Sequence, residues 1–96
     1  MTTATKILTQ HPQGKSGVNI GKEKYDLIRS QIAACLERDE ELTLTQLTEA
    51  GGTAVEGRFE GSINWYTEVV KLDLEARRAI ERLAGSNPQR YRLVEA

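Results

Sequence analysis

The feature that most restricts the fold lies between Ser62 and Val94. Trp65, Val69, Leu72 and Ala76 recur at spacings of 4, 3 and 4, the period of an amphipathic helix. Ile63, Tyr66, Val70 and Leu74 widen that face, while Asn64, Thr67, Glu68, Lys71, Glu75 and Arg78 fall on the other side. Ser62 supplies a hydroxyl where an N-cap is needed. The pattern then changes. Ile80-Glu81-Arg82-Leu83 and Arg90-Tyr91-Arg92-Leu93-Val94 flank Gly85-Ser86-Asn87-Pro88, a segment dense in turn formers. The expectation is a helix over 62–77 that runs straight into an arginine-bearing two-stranded ribbon over 80–94. Trp65, Val69, Leu72 and Ala76 should point into the core.

Upstream, Tyr25, Ile28, Ile32, Cys35 and Leu36 form a second stripe at helical period, which predicts a first helix over 22–38. Asp39-Glu40-Glu41 ends that pattern, and Leu42-Thr43-Leu44 reads as a short extended piece. Thr45 can cap a second helix, with Leu47 and Ala50 facing inward. Gly51-Gly52 weakens that helix by about 1 kcal/mol per glycine relative to alanine; it either ends there or runs on poorly to about Gly57. Ile7–His11 and Val18–Ile20 read as two strands joined by the turn-rich segment from Pro12 to Gly17. One domain over 1–96 is expected, with residues 1–5 frayed and 6–21 forming an N-terminal hairpin extension.

The order helix, short strand, helix, helix, hairpin resembles that of winged-helix domains. The run from Leu72 to Arg82, followed by Tyr91-Arg92-Leu93, looks like the ending of bacterial winged-helix regulators. A wider set of features covers nearly the whole length: His11-Pro12, Gly14-Lys15, Gly17-Val18, Lys24-Tyr25, Glu60-Gly61-Ser62-Ile63, Trp65-Tyr66, Val70 through Arg77, and Pro88-Gln89-Arg90. It resembles a family of small uncharacterised bacterial proteins. The resemblance implies an α+β fold of winged helix-turn-helix type, with three helices, a C-terminal β-hairpin wing and an extra N-terminal β-hairpin. It implies no activity. One departure is visible: Arg78 and Ala79 stand where such folds usually end the third helix with glycine, the residue that tolerates a left-handed cap.

Chemistry-bearing motifs are sparse. Gly14-Lys15-Ser16 matches the end of a phosphate-binding loop, but Thr9 occupies the position of its first glycine, and Val18-Asn19-Ile20 stands where a helix should begin. His11 and Cys35 are the only histidine and cysteine, too few for a zinc site of three or four clustered ligands. Ser62 has no histidine placed to activate it, and Asp39-Glu40-Glu41 reads as a solvated loop. An enzyme, a metal site and a cofactor are therefore not expected. A ligand sensor is disfavoured too, because a domain of this size leaves little volume for a pocket of about 300 Å3.

Charge allows two readings. The net charge is −1, low for a nucleic-acid binder, but it is unevenly placed. Residues 1–24 carry +3, residues 25–61 carry −5, and residues 77–94 carry five arginines against Glu81. On the first reading the chain is a homodimeric DNA-binding transcriptional regulator. Ser62, Asn64, Thr67 and Lys71 would then face a groove, with Arg90, Arg92 and Lys15 on phosphates. On the second, it is a protein-interaction module on the same fold, with no DNA binding. A cytoplasmic setting without a membrane is expected in either case. There is no secretory signal pattern, no apolar run of about 18 residues and a single cysteine.

Overall fold

The buried stripe of the first helix sets the centre of the molecule. In the computed structural model, which describes residues 5–15, 17–55 and 61–94, that helix is α1, Lys22–Asp39. Tyr25, Ile28, Ile32, Cys35 and Leu36 are all buried along it. Each such aliphatic side chain stabilises the fold by about 1.5–3 kcal/mol. Around α1 lie β1 (Lys6–Leu8), β2 (Asn19–Gly21), β3 (Glu41–Thr43), α2 (Leu44–Val55), α3 (Ile63–Ala76), β4 (Ile80–Arg82) and β5 (Arg90–Leu93). The chain is thus α+β, with three helices and two small antiparallel sheets among the described residues. Of the residues expected to fray, 1–5, residues 1–4 lie outside the described residues, as does any extension of α2 to Gly57, while the Thr5 carbonyl accepts from Lys22 N–H at 2.8 Å.

The two sheets use period-2 alternation differently. In the C-terminal sheet the strand order is β3-β5-β4, so the short strand between α1 and α2 is drawn onto the ribbon. Tyr91 on the middle strand stands in register with Leu42 on one side and Arg82 on the other. Leu42, Ile80 and Tyr91 are buried on one face, while Glu41 and Arg92 are exposed on the other, as alternating side-chain direction requires; Arg82 shares the face of Tyr91 and lies over its ring at 5.8 Å. The second sheet is the β1–β2 pair, with Ile7 opposite Ile20. It closes through Gly17. A Cβ there would sit 1.6 Å from the Thr9 carbonyl oxygen, so only glycine lets the two arms cross at that point. Thr9 N–H donates to the Val18 carbonyl (2.9 Å), and the Thr9 hydroxyl accepts from Val18 N–H (3.0 Å).

Helix ends follow local chemistry. The cap of α2 is Thr43, two residues before the expected Thr45. Its hydroxyl accepts from Gln46 N–H at 3.2 Å, and the Gln46 side chain accepts from Thr43 N–H at 2.9 Å. That reciprocal pair is a capping box. At the start of α3 the Ser62 hydroxyl accepts from Trp65 N–H at 3.2 Å. At its end, Arg78 N–H donates to the Glu75 carbonyl and Ala79 N–H to the Leu74 carbonyl, the Schellman arrangement with arginine in the left-handed position. Arg78 has φ 62°; a residue with a Cβ accepts this at a cost of about 1–2 kcal/mol.

The orientation of α3 corrects the expectation from its periodicity. Trp65 is 44% exposed, and Val69, Leu72 and Ala76 are only partly covered. The buried residues are Thr67, Val70, Lys71, Asp73 and Leu74. The helix is therefore turned so that the Ile63, Tyr66, Val70 and Leu74 side, together with two charged residues, meets the core.

Candidate functional site

Of the seven residues expected to meet DNA, two are removed from the surface altogether. Thr67 is 1% and Lys71 is 3% exposed, so neither reaches a groove. Ser62 and Asn64 are exposed at the start of α3, with the Ser62 side chain engaged as the cap. Lys15 is exposed in the turn of the N-terminal hairpin. Arg90 and Arg92 lie on β5, but each faces a carboxylate. The Arg92 Nε is 2.5 Å from Glu81, and an Arg90 guanidinium nitrogen is 3.8 Å from Glu41. The structure does not gather the seven into one positive surface.

Lys71 is held inside by partners that periodicity does not reveal. Its ammonium lies 3.2 Å from the Tyr91 hydroxyl and 4.7 Å from the centre of the Tyr91 ring. Glu75 Oε2 stands 3.0 Å away as an ion pair without hydrogen-bond alignment. The other Glu75 oxygen accepts from Arg82 Nε at 2.5 Å, which holds the Arg82 guanidinium above its ordinary pKa. One carboxylate thus ties α3 to both strands of the ribbon, through Arg82 on β4 and, by way of Lys71, Tyr91 on β5. A buried lysine survives because a carboxylate, a hydroxyl and a ring face replace its water.

A second polar node lies at Asp73, which is 0% exposed. Its Oδ2 accepts from the Tyr25 hydroxyl in a short hydrogen bond and from Arg77 Nε at 2.8 Å. Its Oδ1 accepts from Gln10 N–H at 2.8 Å. Three donors converge on one carboxylate, from the N-terminal hairpin, from α1 and from the end of α3. Burial, and next the hydrogen bond to Asp73, push the Tyr25 hydroxyl up to about 12. Both nodes are filled by their own side chains, so they hold elements together and present no open coordination or reaction position. Glu75 and Arg77 stand one helical turn from Lys71 and Asp73, but Tyr91, Tyr25 and Gln10 come from residues distant in the chain and escape any local pattern.

Open chemistry is found instead on the surface of α3 and α2. A hollow of about 400 Å3 is lined by Leu44, Thr45, Thr48, Glu49, Asn64 and Glu68. Trp65, on the same helix as Asn64 and Glu68, is exposed, its ring 4.9 Å from that of Tyr66 in an edge-to-face contact. The exposed side of α3 is therefore apolar and acidic. No helix among the described residues is long and apolar enough to cross a membrane.

The fold and these two nodes define a small α+β domain built on three helices and a helix-anchored ribbon. By comparison with family models, residues 6–91 match a family of unknown function, DUF6958, and the chain belongs to that family. Nothing among the curated proteins and nothing among the solved structures matches it.

Proposed function

We propose that this chain is a winged-helix domain that binds a protein segment and not duplex DNA. Support for the winged-helix reading comes from the element order and from the strand order β3-β5-β4, in which the strand between the first two helices joins the C-terminal hairpin. The choice of partner is carried by one observation: the ribbon arginines are matched by acids, while α3 shows Trp65 and Glu68 to solvent. Arg82, Arg90 and Arg92 face Glu75, Glu41 and Glu81. Phosphate binding draws its energy from cations free to displace counterions, and Glu68 on the groove-facing side would repel phosphate. An exposed tryptophan is the type of anchor that dominates protein interfaces. The acid at Glu68 selects a partner segment that carries lysine or arginine next to an apolar anchor.

Panning a phage-displayed random peptide library on the folded domain tests this reading. Enriched peptides should combine basic residues with an aromatic or aliphatic anchor. Binding of a synthetic version should fall about tenfold or more on Trp65→Ala, and also on Glu68→Lys, with circular dichroism unchanged. Peptides indifferent to both changes, alongside saturable binding of a mixed-sequence duplex at low salt, would overturn it.

A further inference from the structure

A separate hollow of about 380 Å3 lies between α1 and the start of the ribbon. A domain of this size is expected to leave little volume for a pocket; this hollow nonetheless falls within the range of small-molecule sites. One wall is a single face of α1, where Asp26, Arg29, Ser30 and Ala33 follow one another at helical spacing. The facing wall is apolar and includes Leu74, Ile80 and Leu93. Leu74 and Ile80 are 3% and 2% exposed, so they back the wall from the core, and the accessible apolar surface of the hollow comes from the half-buried Ala33, Ala79 and Leu93.

One acid and one base line this hollow, Asp26 and Arg29. Asp26 is committed to Lys22 at 2.6 Å. Arg29 is exposed and makes no hydrogen bond or ion pair with any described residue. Arg78 likewise has no acid partner among the described residues, whereas Arg38, Arg77, Arg82, Arg90 and Arg92 each face an acid; of the two, Arg29 is the one that lines the hollow. A guanidinium presents a planar fork of donors that matches a carboxylate with two parallel bonds. Ser30, the next residue, adds a hydroxyl beside it. An apolar wall with one unmatched guanidinium at its edge is complementary to a molecule with an apolar body and a single anionic end.

The geometry points to this hollow as a binding site for a small amphiphilic carboxylate, whose carboxyl pairs with Arg29 and whose apolar body lies on Ala33, Ala79 and Leu93. The site is distinct from the Trp65 surface and does not depend on the reading given to that surface.

Amide NMR titrations of the whole chain with sodium octanoate, sodium benzoate, octylammonium and octanol test the assignment. At least one of the two carboxylates should give saturable shifts centred on Ser30, Ala33, Ala79 and Leu93. Octylammonium should give none there, and octanol should bind more weakly than the carboxylate. Arg29→Gln, at an exposed position that leaves the fold intact, should weaken the carboxylate about tenfold or more, as expected for loss of a charge-assisted hydrogen bond. Ala33→Met, which fills the hollow while keeping Arg29, should also block it, whereas Trp65→Ala should leave it unchanged. The assignment is overturned if neither carboxylate gives saturable shifts at millimolar concentration. It also fails if the shifts map elsewhere, if Arg29→Gln has no effect, or if octylammonium binds as well.

Discussion

Asp73→Ala is expected to cost about 3–5 kcal/mol, the range for removing one partner from a buried charged pair. A domain of this size has only about 5–15 kcal/mol in total, so much of the variant should be unfolded at physiological temperature. The loss has identifiable parts. The Tyr25 hydroxyl and the Gln10 amide lose their acceptor inside the protein, at about 1–3 kcal/mol for each donor left unsatisfied. Arg77 loses less, because its side chain is 37% exposed and can turn to water. Asp73→Asn should be milder, since an amide oxygen can still accept from Gln10, but its NH2 group then opposes a donor.

Tyrosine titration supplies a second readout of the same change. Folded Tyr25 keeps its proton up to about pH 12, against an ordinary value of 10.0. Below pH 10 both folded and unfolded chains hold that proton, and the stabilisation is complete. Between pH 10 and 12 the unfolded chain releases it and the folded chain does not, so stability falls as pH rises through this window. Asp73→Asn removes the negative neighbour while leaving the burial. It should therefore lower the pH at which tyrosinate absorbance appears, although not all the way to the ordinary value. Unchanged melting and unchanged alkaline absorbance in Asp73→Asn would mean that the three-donor node does not form.

Lys71→Ala is expected to lose about 3 kcal/mol or more of stability. If Lys71 read DNA from an exposed helix face, the same change would weaken duplex binding and leave folding alone. The physical difference is Glu75, whose side chain is only 6% exposed. Without Lys71 it must rely on Arg82 alone, and the Tyr91 hydroxyl loses its neighbour. Lys71→Met, which keeps most of the packing volume, should cost less. Because Lys71 and Arg82 share the Glu75 carboxylate, the effects of Lys71→Met and Arg82→Ala should not add. Urea unfolding monitored by circular dichroism measures all four members of that cycle. A midpoint unaltered by Lys71→Ala would put the ammonium in solvent.

The contrast between α1 and α3 shows how far the sequence could be read. In α1 the apolar residues Tyr25, Ile28, Ile32, Cys35 and Leu36 offer a single stripe, and all five are buried. In α3 two apolar stripes run side by side, one through Trp65, Val69, Leu72 and Ala76, the other through Ile63, Tyr66, Val70 and Leu74. On sequence alone the first turns inward, because Thr67 and Lys71, with Asn64 and Glu68, count as the outward side. The deciding partners are 63 residues away for Gln10 and Asp73, 48 for Tyr25 and Asp73, and 20 for Lys71 and Tyr91. No local pattern carries them. The ribbon charge was misjudged for a related reason. A count over residues 77–94 sees Glu81 and misses Glu41 and Glu75, which arrive from β3 and α3. The α2 cap is a different kind of miss: Thr43 with Gln46 three residues on is the local signature of a capping box, and the choice of Thr45 passes over it.

The orientation of α3 underlies both the binding face and the two polar nodes, and the chain contains a single tryptophan to report it. The most direct test is acrylamide quenching of Trp65 fluorescence in the native protein. With Trp65 44% exposed, emission should be red-shifted and readily quenched, changing little on unfolding in urea. A blue-shifted emission that resists quencher until the chain unfolds would contradict this account, because it would place the Trp65, Val69, Leu72 and Ala76 side in the core and return Thr67 and Lys71 to solvent.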